Sequence, residues 1–369
     1  MGAIGPIKGR GTTATPQNRF ESLRTDADWE QLAADDELLV EPSKAPTEFL
    51  PDKSESLIVE NHSPDIPFRF GVNAYRGCEH GCAYCYARPY HEYLGMNAGL
   101  DFETKILVKF DAVRILRREL NKPSWKGEWL HMSGVTDCYQ PCERNFRLTR
   151  GLLEVMNEAN QAVTIVTKNA LVCRDIDILA DMARRNLAEV FLSVTTLDKD
   201  LARAMEPRAS APYRRLEAIR RLAEAGVPVG VMTAPMIPGL NDHEMESILE
   251  AAMDAGATRA GFTVLRLPLE IKDLFDEWLR THRPDRAERV LSLIRQMRGG
   301  ALYQAEFGLR MRGEGPIAQL LSARFSAAVK RLGLNRIRYR LDTLRFAVPE
   351  SARTALVDAR RDARQMKLL

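Results

Sequence analysis

From about residue 66, short apolar runs and amphipathic stretches alternate along this chain. Runs rich in β-branched and apolar residues at 68–75, 129–132, 162–167, 190–195, 227–233 and 260–265 predict buried strands. Helical patterns at 111–120, 147–159, 175–185, 213–225 and 242–254 lie between most of them. Gly226 and Gly256 stand where two of these helices should end, and Pro228 follows the first. Strands separated by helices predict right-handed crossovers and a parallel sheet. Periodicity alone leaves two architectures open, a doubly wound sheet and a sheet curled as a barrel.

The two ends read differently. Residues 1–60 lack sustained periodicity and scatter Gly, Pro, Thr, Asn and Asp among charges, which predicts a flexible, partly disordered extension that wraps the core. An alternative is a basic arm for phosphate, because Lys8, Arg10 and Arg19 precede the acidic stretch 26–37. The core is expected over 61–275. Residues 276–369 are rich in Arg and Leu, with helical patterns at 286–297, 317–332 and 351–366, and are expected to form a helical C-terminal region.

At 369 residues the chain has room for one large α/β domain with additions. Its formal net charge of +3 does not argue for nucleic acid. No apolar run approaches the roughly 18 residues of a membrane span, so no membrane association is expected. Six cysteines without a signal peptide suit a reducing cytoplasm, where thiolates remain available to metals.

Three of those cysteines, Cys78, Cys82 and Cys85, fall within Arg-Gly-Cys-Glu-His-Gly-Cys-Ala-Tyr-Cys-Tyr. The C-x3-C-x2-C spacing supplies three thiolates and leaves a fourth coordination position open. Iron-sulfur clusters normally take four cysteines, so a cube held by three has one iron able to bind a small molecule. Tyr84 offers a flat wall beside such a ligand. Zinc could recruit the same thiolates with His80, His91 or Cys138, but no second paired arm follows. A disulfide framework suits a chain of this length and compartment least. Gly77 and Gly81 let the backbone bend closely around a cluster, or serve as ordinary turn glycines.

This loop resembles the signature of the radical S-adenosylmethionine (radical SAM) superfamily. The resemblance implies an incomplete (β/α)6 barrel with the cluster loop after its first strand, a 4Fe-4S cluster and S-adenosyl-L-methionine as cofactors, and a low-potential electron donor such as flavodoxin or ferredoxin. It also selects the barrel over the doubly wound sheet. After the second strand, Met-Ser-Gly-Val-Thr-Asp-Cys-Tyr-Gln-Pro-Cys-Glu at 132–143 resembles the branch that contains spore photoproduct lyase. In that branch a hydroxyl residue followed by Asp touches the cofactor, which implies Thr136 and Asp137 here. A lysine and a serine at the next strand ends carry over to Lys168 and Ser193. Thr195, two residues past Ser193 and on the same strand face, joins them. Glu206-Pro-Arg208 and the Pro-rich loop 234–242 also look like segments of the family, with Arg208 a candidate for an anionic group near the mouth.

The chain departs from the lyase at one consequential point. Gly134 occupies the place of the cysteine that returns a hydrogen atom there, while Cys138 and Cys142 lie just beyond and are the candidate hydrogen donors. The expected activity is that of a radical SAM enzyme acting on an unidentified substrate. Kinship with the lyase and the arginines 324, 331, 336, 338 and 340 favour nucleic acid, although those arginines also fit a solvated helix face. A peptide or small-metabolite substrate, and a non-enzymatic zinc-binding module, are the alternatives.

Overall fold

A computed structural model describes residues 9–12, 14–20, 46–337 and 339–349. Ten strands run β1 (Glu48–Pro51), β2 (Ile58–Glu60), β3 (Phe70–Val72), β4 (Tyr75–Arg76), β5 (Lys105–Val108), β6 (Leu130–Met132), β7 (Val163–Thr167), β8 (Ala188–Ser193), β9 (Val229–Met236) and β10 (Arg259–Val264). The main sheet has the order β10-β9-β8-β7-β6-β3-β2. Its strands from β3 to β10 pair in parallel, and only β2 runs antiparallel at the edge.

Neighbours in this sheet follow chain order without a reversal. A doubly wound sheet needs such a reversal to place helices on both faces, whereas one repeated right-handed crossover keeps them on one face. The principal helices are α1 (Ala112–Leu120), α2 (Leu148–Glu158), α3 (Ile176–Ala183), α4 (Lys199–Met205), α5 (Pro212–Glu224), α6 (Met245–Asp254), α7 (Ile271–His282), α8 (Ala287–Gln296) and α9 (Gly315–Leu332). This is the α/β architecture of the incomplete (β/α)6 barrel. All six core strands and the five helices between them fall where periodicity places them.

Alternation along each strand separates the two faces. Leu130, Met132, Val163, Ile165, Val190, Leu192, Val229 and Val231 are buried in one core together with α2, α3, α5 and α6. The intervening positions His131, Thr164, Glu189, Phe191, Gly230, Arg259 and Gly261 form the opposite, lumenal face. It is polar: His131 Nδ1 lies 2.9 Å from Thr164 Oγ1, and Arg259 pairs with Glu189 at 2.6 Å. At the amino ends of the strands Asn335 N donates to Thr258 O, Asp342 N to Asn186 O and Ala347 N to Ala159 O, just ahead of β10, β8 and β7.

Among the described residues β1, β2 and β5 lie outside the runs read from periodicity, and β4 begins at the end of the first run. β1, β5 and β4 form a second small sheet, with β1 parallel to β5 and β4 antiparallel to it. Each is at most four residues long and stands outside the alternation of strands and helices that builds the main sheet. Part of the expected extension therefore supplies strands, and α7 spans the expected 275/276 boundary. The helical pattern at 351–366 and the acidic stretch 26–37 lie outside the described residues.

Candidate active site

The cysteine loop leaves β4 through Gly77 at φ +80°, where a β-carbon would stand 2.8 Å from His91 Cε1 and 3.0 Å from Phe102 O. Only glycine fits both the left-handed backbone and that gap. Cys78 N donates to Phe102 O at 2.9 Å, tying the loop to the helix Leu100–Thr104. Beneath the loop, fully buried Arg88 pairs with fully buried Glu103 and donates to Cys82 O from Nε at 3.0 Å and Nη2 at 2.9 Å. Gly11 N and Thr12 Oγ1 donate to the same Glu103 carboxylate, and Arg10 Nη1 donates to Glu103 O. The contact is backbone on backbone, since a β-carbon on Gly11 would lie 1.6 Å from Gly81 O. Arg10 and Arg19, which the alternative reading placed in a phosphate-binding arm, are engaged internally, Arg19 with Glu92 at 3.2 Å. Lys8 lies outside the described residues.

Cys78 and Cys82 are buried, Cys85 is half-buried, and none forms a disulfide. Burial pushes all three thiols up, and charge on Asp137, then on Cys82 and Cys85, pushes Cys78 further. Mutual proximity of this kind disfavours three free thiolates and is relieved by a cationic centre that all three can reach. Among the described residues no three His, Cys, Asp or Glu side chains are disposed around one metal ion. A cube, with one thiolate on each of three irons, does not require that arrangement. The donor set and the glycine-built turn fit the cluster.

The end of β6 anchors the loop from the other side. Thr136 Oγ1 donates to Gly77 O at 2.5 Å, and Gln140 bridges Thr136, Gly77 O and Glu79 N. Asp137 accepts from Thr167 Oγ1 at 2.7 Å, Lys168 N at 2.8 Å and Tyr139 N at 2.9 Å, and His80 Nδ1 is 3.3 Å away. Burial raises the Asp137 pKa, but His80 and these donors outweigh it and hold the carboxyl down at about 2. Thr136 and Asp137 thus form the scaffold between cysteine loop and strand ends.

A second buried network backs Tyr84. Its hydroxyl donates to Glu206, which also accepts from Thr195 Oγ1 at 2.9 Å and pairs with Arg215. Arg215, also buried, donates to Ser193 O at 2.9 Å and Ser210 O at 2.6 Å. Lys168 and Ser193 differ from this scaffold. Thr167 pairs with Leu192 in the β7–β8 ladder, so Lys168 and Ser193 come next, side by side on the lumenal face. The Lys168 Nζ lies 5.8 Å from the Tyr84 ring centroid. Among the described residues neither side chain makes a hydrogen bond within the protein.

Cys138 and Cys142 are both buried in the core that packs beneath the loop. Cys138 N donates to Ser133 Oγ at 3.0 Å, Cys142 N donates to Glu79 Oε2 at 2.6 Å, and burial pushes both thiols well up. Gly134 is more open: a β-carbon there would meet nothing nearer than Phe68 Cζ at 3.9 Å, and Gly134 O accepts from the exposed Tyr86 at 2.7 Å. Arg208 is not a waiting anion receptor, because it pairs with Glu79 at 2.9 Å and donates to Thr47 Oγ1. Of the C-terminal arginines, Arg324 is held by Glu246 at 2.6 Å and Arg331 lies 3.7 Å from Glu250, both on α6. Their charge is spent on packing α9 against the barrel. Sequence reasoning passed over Arg88, Glu103 and Arg215, since a buried ion pair leaves no periodic signal.

Residues 72–252 match the family model of the radical SAM superfamily. An uncharacterized protein of Mycobacterium tuberculosis is 37% identical over 235 residues, covering 63% of this chain and 68% of its own. One from Methanocaldococcus jannaschii is 29% identical over 176 residues, 48% of this chain and 63% of its own. Among solved structures, a mutant of spore photoproduct lyase with bound AdoMet and dinucleoside spore photoproduct superposes with a TM-score of 0.54 at 16% identity, covering 78% of this chain and 80% of its own. That likeness is one of fold.

Proposed function

From membership of the radical SAM superfamily, to which this chain belongs and whose 4Fe-4S cluster and S-adenosylmethionine it uses, we propose an enzyme with one radical-generating site at the carboxyl ends of β3, β6, β7 and β8. Cys78, Cys82 and Cys85 hold the cluster. Lys168 receives the carboxylate of S-adenosylmethionine and Ser193 a hydroxyl of it, with Thr195, Thr136, Asp137 and Tyr84 as the surrounding cofactor contacts and supports. The observation that carries this reading is Lys168 over the ring of Tyr84 of the cysteine loop, one residue past the ladder pair Thr167–Leu192 and so level with Ser193.

When bound, the cofactor pair supplies a 5'-deoxyadenosyl radical that takes a hydrogen atom from the substrate, at the cost of one electron from a low-potential donor such as flavodoxin or ferredoxin. This chain's own residues do the positioning. Glu206 and Arg215 fix Tyr84 and the end of β8, and Asp137 fixes the backbone of Lys168. Burial of Cys82 and Tyr84 keeps water from the reacting side. Cys138 and Cys142 stand as the candidate hydrogen donors. Each lies within the scaffold, so either must be reached through the loop.

For the substrate, fold likeness to the lyase favours nucleic acid over a peptide or small metabolite. The chain is read as an extension over 1–60, a core over 61–275 and a helical region over 276–369, working in the cytoplasm. Anaerobic reconstitution should give a brown protein with about four iron and four sulfide per chain, and an unbiased screen of cell nucleic acids and metabolites should find one that stimulates 5'-deoxyadenosine release. Stoichiometric zinc without labile sulfide would overturn it. Because Gly134 replaces the donor cysteine, repair of spore photoproduct should be weak or absent; efficient repair that is lost in Cys138→Ala would show a displaced donor.

A further inference from the structure

At the far edge of the barrel, Arg266 lies two residues beyond the end of β10. Its guanidinium sits 4.9 Å over the ring of Tyr86, the residue after Cys85, whose hydroxyl bonds Gly134 O. The arginine therefore reaches from the last core strand to the cysteine loop, across the gap where the sheet does not close. Its hydrogen bonding is incomplete. Among the described residues Nη1 meets only the thioether of Met311 at 3.3 Å, a weak acceptor, and Nε is buried without a partner.

A second guanidinium stands beside it. Arg298, 2% exposed, donates to Leu265 O and Leu309 O, both at 2.7 Å, and has no carboxylate partner among the described residues. Burial and the charge of Arg266 hold Arg298 down at about 10. The acids nearby offset the pair only in part: Glu314 acts on Arg298 and Asp65 on Arg266 through charge, but Asp65 is also the ion-pair partner of Arg310, so three guanidiniums face two carboxylates. Together these groups leave an excess of positive charge around a half-buried guanidinium. Uncompensated charge in such a place is costly unless an anion visits it.

We propose that Arg266, stacked on Tyr86 and backed by Arg298, receives an oxyanion of the substrate at the open side of the barrel. The ligand is a molecule carrying a phosphate or carboxylate, matched by the planar fork of guanidinium donors. This rests on the reading of the strand carboxyl ends as the active site, because the anchor would set the substrate beside the cysteine loop. It differs from Lys168, which faces the ring of Tyr84 and serves the cofactor.

The test uses cluster-loaded full-length protein and needs no turnover. Uridine 5'-monophosphate is compared with uridine, and an acetylated dipeptide acid with its amide, by calorimetry on wild type, Arg266→Lys and Arg266→Gln. One charged probe is expected to bind at least tenfold tighter than its neutral analogue, with that preference reduced in Arg266→Lys and lost in Arg266→Gln; which probe does so separates phosphate from carboxylate. In wild type alone, the same probe should slow phenylglyoxal modification of Arg266 mapped by mass spectrometry, which keeps the proposal testable if a variant fails to fold. Equal binding of charged and neutral probes, an unaltered preference in a folded Arg266→Gln, or protection by S-adenosylmethionine alone would overturn it. Protection in protein that holds zinc and no sulfide would leave the anion site standing while the radical reading fell.

Discussion

The two faces of the main sheet are built from the same strands and do opposite work. Leu130, Ile165, Leu192 and Val231 point outward into helices and are completely buried, so their contribution is packing. His131, Thr164, Glu189 and Arg259 alternate with them on the lumenal face and are tied by hydrogen bonds and an ion pair. At the carboxyl rim the lumenal rows end in Lys168 and Ser193, next to a loop locked by Arg88–Glu103 and Glu206–Arg215. The difference teaches that this fold separates stability from chemistry by face and by end. Apolar packing tolerates volume-preserving exchange, whereas buried ion pairs punish loss of one partner.

The largest effect that would sharpen the comparison lies at the rim. Replacing Cys78, Cys82 and Cys85 together with Ala should remove all cluster iron while circular dichroism and thermal unfolding keep the signature of a folded sheet, since none of the three belongs to the main core. Iron and sulfide retained at the wild-type ratio would break the ligand assignment. Next comes the buckle. Glu103→Gln leaves the Arg88 charge buried without its carboxylate and should cost about 3–5 kcal/mol in denaturant unfolding, comparable to about 2–5 kcal/mol for the cavity made by Leu192→Ala. The two should part on a second readout: cluster iron should be lost to a chelator faster in Glu103→Gln and not in Leu192→Ala.

A smaller effect tests the polar interior. His131 stacks on Phe68 at 4.0 Å, and burial lowers its pKa to about 4 from an ordinary 6.5. The neutral ring is thus favoured in the folded state, so its contribution is complete above pH 6.5 and is lost as pH falls toward 4. That shift corresponds to about 3 kcal/mol. His131→Gln should flatten the acid limb of stability over this window, and an unchanged limb would place the titration elsewhere.

What the sequence disclosed follows the same division. Strands such as 162–167 and helices such as 147–159 were legible because outward-facing residues repeat with a period that burial enforces. The cysteine loop was legible because its spacing is chemical and local. Arg88 with Glu103, and Glu206 with Arg215, were not, because each partner lies at a sequence distance that no motif encodes, and a charged residue ordinarily reads as surface. β1 and β5 were missed for a related reason: they pair with each other and with β4 in a separate small sheet, outside the alternation of strand and helix that marked the core strands. Arg208 was legible as a family segment, but its partner Glu79 was not, and so its role was misread.

The smallest effect distinguishes scaffold from contact at the rim. Asp137 and Lys168 are neighbours through the Lys168 N–H, yet Asp137 meets four protein groups, while among the described residues the Lys168 side chain makes no hydrogen bond and lies over the face of Tyr84. If Lys168 receives a carboxylate, Lys168→Met removes one charge-assisted hydrogen bond and should weaken S-adenosylmethionine by roughly tenfold or somewhat more, corresponding to about 1.5–3 kcal/mol. Ser193→Ala, which removes an uncharged hydroxyl, should cost only about 0.5–1.5 kcal/mol. Neither change should alter the unfolding midpoint, because among the described residues neither side chain makes a hydrogen bond. Asp137→Ala should instead lower both affinity and midpoint, since it releases His80, Thr167 and the Lys168 backbone together. Calorimetry on anaerobic, cluster-loaded protein reads the affinity and a denaturant titration the midpoint. If Lys168→Met moved the midpoint and left the affinity alone, Lys168 would belong to the scaffold, and the carboxylate of the cofactor would have to be sought on another strand end.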